Sequence, residues 1–78
     1  MERKTLTNRE MDVLECLIKG LSNKQIAKEL VISVHTVKAL LESIYFKLDV
    51  HSRVQAIIKA INEGIIVYNP ELDMYIRK

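Results

Sequence analysis

The sequence predicts an all-α fold of four helices with a short C-terminal tail. Three observations carry that expectation. Thr7 with Glu10, Ser22 with Gln25 and Ser52 with Gln55 are capping-box pairs, in which a hydroxyl and a side chain three residues later satisfy orphan backbone donors at a helix start. Apolar residues recur at helical spacing. Gly20 and Gly64 stand where helices need a left-handed C′ residue, a conformation glycine adopts without steric cost.

The first helix is expected over about residues 8 to 19, with Val13, Leu14, Leu17 and Ile18 facing the core. The second, over about residues 23 to 30, starts at Ser22 and turns Ile26, Ala27 and Leu30 inward. Ser33 opens the third, about residues 34 to 48, and the fourth covers about residues 53 to 63. Beyond it, Ile65 to Tyr68 is rich in β-branched residues, but a lone strand has no partner, so a sheet is rejected. Asn69-Pro70 reads instead as the cap and first position of a short extra helical turn. The core should span about residues 5–66, followed by a tail at 67–78, within a single domain 1–78.

Composition excludes several classes. With 49% hydrophobic and 28% charged residues, the chain is too apolar for disorder. Its uninterrupted apolar runs fall far short of the roughly 20 residues that cross a bilayer, and Met1–Lys4 leads into mixed polar sequence with no secretion signal. The single Cys16 cannot form an internal disulfide, nor join two histidines into a four-ligand zinc site, so the cytosol is the expected compartment. Cys16 reads as an inert packed thiol and His51 as a loop residue. No nucleophile, base or metal cluster is spaced for catalysis, and no cofactor or small-molecule ligand is expected. The net charge of +2 and pI of 8.8 permit nucleic-acid binding but fall below the pI above about 9 that would announce it.

Spacing is more informative. Only Val31, Ile32 and Ser33 separate the second and third helices, a turn too short for antiparallel packing, so the two should cross steeply as a helix-turn-helix. In such a unit the second helix fits the major groove and its N-terminal residues reach base edges. With residues placed at 100° intervals, Val37, Leu41, Ile44 and Leu48 share one narrow core face. The opposite side displays His35, Lys38, Ala39, Glu42, Ser43 and Phe46, with Leu40 at the border. An ordinary solvated helix has a similar pattern, so periodicity alone leaves both readings open.

Leu6-Thr7-Asn8-Arg9-Glu10, Val13-Leu14, the run from Gly20 to Ala27, Leu30, Ile32-Ser33, Thr36-Val37-Lys38, Ile44, Lys47-Leu48, Val50, Arg53 and Ala56 together resemble the LuxR-type DNA-binding domain. The resemblance covers about residues 5–66 and implies a four-helix bacterial transcription-regulator domain whose third helix reads the major groove and whose last helix commonly dimerises. It implies double-stranded DNA as partner, with RNA polymerase a further candidate. It also implies an N-terminal sensor or phosphoreceiver domain, for which 78 residues leave no room. Four positions depart from the family pattern: Leu40 where histidine is frequent, Glu42 where a basic or polar contact is common, Phe46 in place of a basic residue, and Asp49 in place of Gly or Asn.

On this reading His35, Lys38, Ala39 and Glu42 contact bases. Ser33 and Thr36 hold a phosphate with free backbone amides, and Asn23, Lys24, Lys47 and Arg53 supply further backbone contacts. The rival roles are a cap for Ser33, an ion-pair partner for Arg53 and a Lys38–Glu42 surface pair. In the last helix Ala56, Ile57 and Ala60 form one apolar face, and Val54, Ile58 and Ile61 form a second about 150° away. A homodimer, aided by Ile66, Tyr68 and the tail, would cover the second face; the alternative is that the tail folds back over it. A different-class reading keeps the scaffold as a helical protein-interaction module with weak or lost DNA binding.

Overall fold

The computed structural model describes residues 5–78. Helices α1 (Asn8–Ile18), α2 (Asn23–Leu30), α3 (Val34–Leu48) and α4 (Arg53–Asn62) are followed by strands β1 (Ile66–Asn69) and β2 (Met74–Arg77). Met1–Lys4, on which the expectation of no secretion signal rests, lies outside the described residues.

The helices begin where their caps dictate. Thr7 with Glu10 and Ser22 with Gln25 form reciprocal capping boxes, and the Ser33 hydroxyl accepts from the Thr36 N–H. The third expected box is half formed. The Ser52 hydroxyl accepts from the Gln55 N–H, but Gln55 Oε1 takes the His51 N–H at 2.8 Å and does not reach back to Ser52. Gly20 and Gly64 take φ values of 82° and 72° just past α1 and α4, the turns that glycine makes without strain. Asp49 and Val31 end α3 and α2 in the same left-handed region, both at φ 57°. For Val31 this is costly, because a β-branched side chain crowds the backbone there.

Helix α3 is the centre of the packing and touches α1, α2 and α4. Its Val37, Leu41, Ile44 and Leu48 are all buried, against Val13, Leu14 and Leu17 of α1, Ile26 and Ala27 of α2, and Ala56 and Ala60 of α4. The expected inward faces are therefore those observed, with Ile18 and Leu30 half-buried at the core margin.

The C-terminal region corrects the rejection of a sheet. β1 and β2 pair antiparallel, Ile66 opposite Arg77 and Tyr68 opposite Tyr75, so the β-branched segment finds its partner eight residues further on. Asn69-Pro70 does not start a helix. Asn69 Oδ1 accepts from the backbone N–H groups of Glu71 and Leu72 at 2.9 and 3.2 Å, as a cap would, but Asp73 turns left-handed at φ 52° and the chain reverses. β1 packs on α4 and β2 on α1. Arg77 clamps the second contact by donating to Glu15 at 2.9 Å and to Asp12.

One further expectation about the tail is overturned, and the alternative cover for α4 is not seen. Ile66 is wholly buried within the chain and is not available to a second subunit. The tail does not cover the outer stripe of α4: Val54, Ile58 and Ile61 remain 63%, 54% and 37% exposed, although β1 packs on another side of that helix.

Candidate nucleic-acid interface

The side of α3 opposite its core face is largely solvent-exposed. His35, Lys38, Ala39, Glu42 and Phe46 are exposed, and Leu40 is half-buried at the border. Ser43 does not belong to this surface. Its hydroxyl turns toward α1 and donates to Glu10 Oε2 at 2.5 Å. Among the described residues no ion pair links Lys38 to Glu42, so both side chains extend from the helix without engaging each other.

A buried carboxylate holds this helix against α1. Glu10 is 3% exposed and gathers the Thr7 N–H at 2.8 Å, the Lys47 ammonium at 2.9 Å and the Ser43 hydroxyl. Burial alone would raise its carboxyl, but the hydrogen bonds from Ser43, Lys47 and Thr7, with the Lys47 charge, outweigh burial and bring it from 4.5 down to about 2. The group is thus a fixed anion that ties Ser43 and Lys47, one helical turn apart, to the N-terminal turn of α1. In the sequence Glu10 is legible as a capping residue only; its long-range role arises because α3 crosses directly over that turn.

The candidate phosphate contacts divide into two groups. Lys24, Ser33 and Thr36 are exposed at or before the first turns of α2 and α3, where free backbone N–H groups gather. Ser33 caps α3 at the same time, its hydroxyl 3.0 Å from the Thr36 nitrogen and 2.9 Å from the Thr36 hydroxyl. The other group is engaged within the chain. Besides Glu10, Lys47 Nζ donates to the Thr5 carbonyl at 3.2 Å. Arg53 donates to the Leu21 carbonyl at 2.8 Å and to Asn23 Oδ1 at 2.6 Å, hydrogen bonds that pin the start of α4 to the start of α2. Arg53 therefore acts as a structural fork, with neutral acceptors in place of an ion-pair partner.

Cys16 is buried in the core, which pushes its thiol up from its ordinary value. Among the described residues, no group of His, Cys, Asp or Glu side chains gathers to hold a metal ion, and no helix is long and apolar enough to cross a membrane.

A packed helix pair joined by a three-residue turn, with a capped second helix buried on one side and exposed on the other, defines a helix-turn-helix DNA-binding domain. Comparison with known proteins identifies which kind. Residues 4–60 match the family described as bacterial regulatory proteins, luxR family, and the chain belongs to it. It is a LuxR-type DNA-binding transcription-regulator domain, in a family that is not enzymatic. A nitrate/nitrite response regulator homolog of Haemophilus influenzae is 56% identical over 52 residues, 67% of this chain and 25% of that protein. The transcriptional regulatory protein YdfI of Bacillus subtilis is 46% identical over 61 residues, 78% of this chain and 29% of that protein. The solved structure of the transcription factor GerE superposes with a TM-score of 0.71 at 34% identity, covering 78% of this chain and 92% of that one. The response regulator ChrA gives a TM-score of 0.77 at 44% identity, covering 81% of this chain and 31% of that one. The chain thus spans about a quarter of the length of these curated relatives, and the family match ends before the hairpin.

Proposed function

We propose that the chain binds double-stranded DNA sequence-specifically, with α3 in the major groove, as a homodimer that spans two half-sites about one helical turn apart. The observation that supports this most is the exposed N-terminal part of the outer face of α3, where His35, Lys38, Ala39 and Glu42 stand on a helix anchored from behind by its buried face and by Glu10. His35, Lys38, Ala39 and Glu42 contact base edges; Ser33, Thr36, Asn23 and Lys24 contact phosphates. We give Lys47 and Arg53 a positioning role, because their donors already serve Glu10, Thr5, Leu21 and Asn23. The dimer forms through Val54, Ile58 and Ile61, whose remaining exposed surface would contribute roughly 0.5–2 kcal/mol per side chain when a partner covers it. The domain acts in the cytoplasm with no cofactor, and RNA polymerase is a candidate partner.

Salt titration of duplex binding tests this reading. A dimer neutralising about six phosphates loses affinity with a log–log slope near −5. A helical interaction module on the same scaffold shows no specific shift on any duplex, and that outcome would replace DNA reading with protein docking.

A further inference from the structure

Glu42 lies one helical turn beyond Lys38 on the exposed side of α3, and among the described residues neither side chain has a hydrogen-bond or ion-pair partner. The other lysine of the helix, Lys47, directs its ammonium to Glu10. The groove-facing side therefore carries one cation and one carboxylate, and their charges cancel. A carboxylate brought beside duplex phosphates is repelled, so Glu42 lowers affinity for every site that offers it no donor.

The base edges differ in what they offer. Guanine presents the acceptors N7 and O6, thymine the acceptor O4 beside a methyl group, and adenine a donor next to the acceptor N7. Cytosine alone presents its amino donor without an adjacent acceptor. Residues one turn apart are separated by about 6 Å along a helix axis, against about 3.4 Å between stacked base pairs. Lys38 and Glu42 therefore address positions about two base pairs apart.

Resting on the DNA reading proposed above, we infer that Glu42 determines specificity: it requires cytosine about two base pairs from the position read by Lys38, and it suppresses non-specific binding. The side chain acts as a filter, trading affinity on random sequence for discrimination at one position.

The test is selection of bound duplexes from a random pool by the 78-residue chain and by its Glu42→Ala, Glu42→Gln and Lys38→Ala variants. The wild type should select a cytosine that is favoured over the other bases by roughly 5- to 150-fold. Glu42→Ala should flatten that column, and Glu42→Gln should move it toward adenine, while the column lost in Lys38→Ala survives in both. Binding of the two Glu42 variants to a scrambled duplex should rise severalfold. Identical columns in wild type and Glu42→Ala, or a wild-type motif lacking that cytosine, overturn the inference while leaving DNA reading intact. A wild-type pool with no motif overturns DNA reading by α3, and the inference falls with it.

Discussion

Glu10 shows how one side chain links local and global structure. As a capping residue it satisfies the Thr7 N–H, and as a buried anion it holds Ser43 and Lys47 of α3. Its carboxyl lies at about 2 in the folded protein against 4.5 ordinarily, so the folded state favours the charged form. The stability this contributes, about 3 kcal/mol, is fully present above pH 4.5 and is lost as pH falls from there toward 2. Urea unfolding across that range should show the loss in the wild type and a flatter profile in Glu10→Ala, which should itself be destabilised by about 2–4 kcal/mol at neutral pH. Val31 makes the opposite point. Its φ of 57° is strained for a β-branched residue, and at 88% exposure its side chain packs on little. Val31→Gly should therefore raise stability by about 1 kcal/mol, read as a shift of the urea midpoint with unchanged slope.

At the level of elements, the helices were legible because caps and apolar spacing act locally and agree with each other. Thr7, Ser22, Ser33 and Ser52 all start helices, and Val37, Leu41, Ile44 and Leu48 form the face that periodicity assigns them. The hairpin was illegible for a physical reason. Asn69 accepting from amides two and three residues on is the same local signal whether a helix or a reversal follows. The outcome is set by tertiary contacts: Ile66 enters the core, and Arg77 reaches Asp12 and Glu15. The site was legible to a similar extent. Exposure of His35, Lys38, Ala39 and Glu42 followed from helical phase, whereas the capture of Ser43, Lys47 and Arg53 depends on which residues of other helices lie opposite them. Arg77→Ala should speed amide hydrogen exchange across Ile66–Asn69 and Met74–Arg77 without changing protection in α3, because the hairpin packs on α1 and α4. Duplex affinity should stay within about twofold of wild type, since no proposed contact lies on the hairpin.

On the scale of the whole molecule, the groove side of α3 and the outer stripe of α4 are both exposed among the described residues. If the stripe joins two copies, Ile58→Glu places two like charges in the interface and should weaken self-association at least tenfold by analytical ultracentrifugation. Binding to a palindromic duplex should fall with it, while binding to an isolated half-site is retained. DNA reading by this domain depends most on the orientation of α3. The most direct measurement is a backbone amide NMR titration of the chain with its selected duplex. The largest shifts should fall on Ser33 to Glu42 and on the first turn of α2, with the hairpin unmoved. Shifts confined to α4 or to the hairpin, with His35, Lys38, Ala39 and Glu42 unaffected, would contradict it.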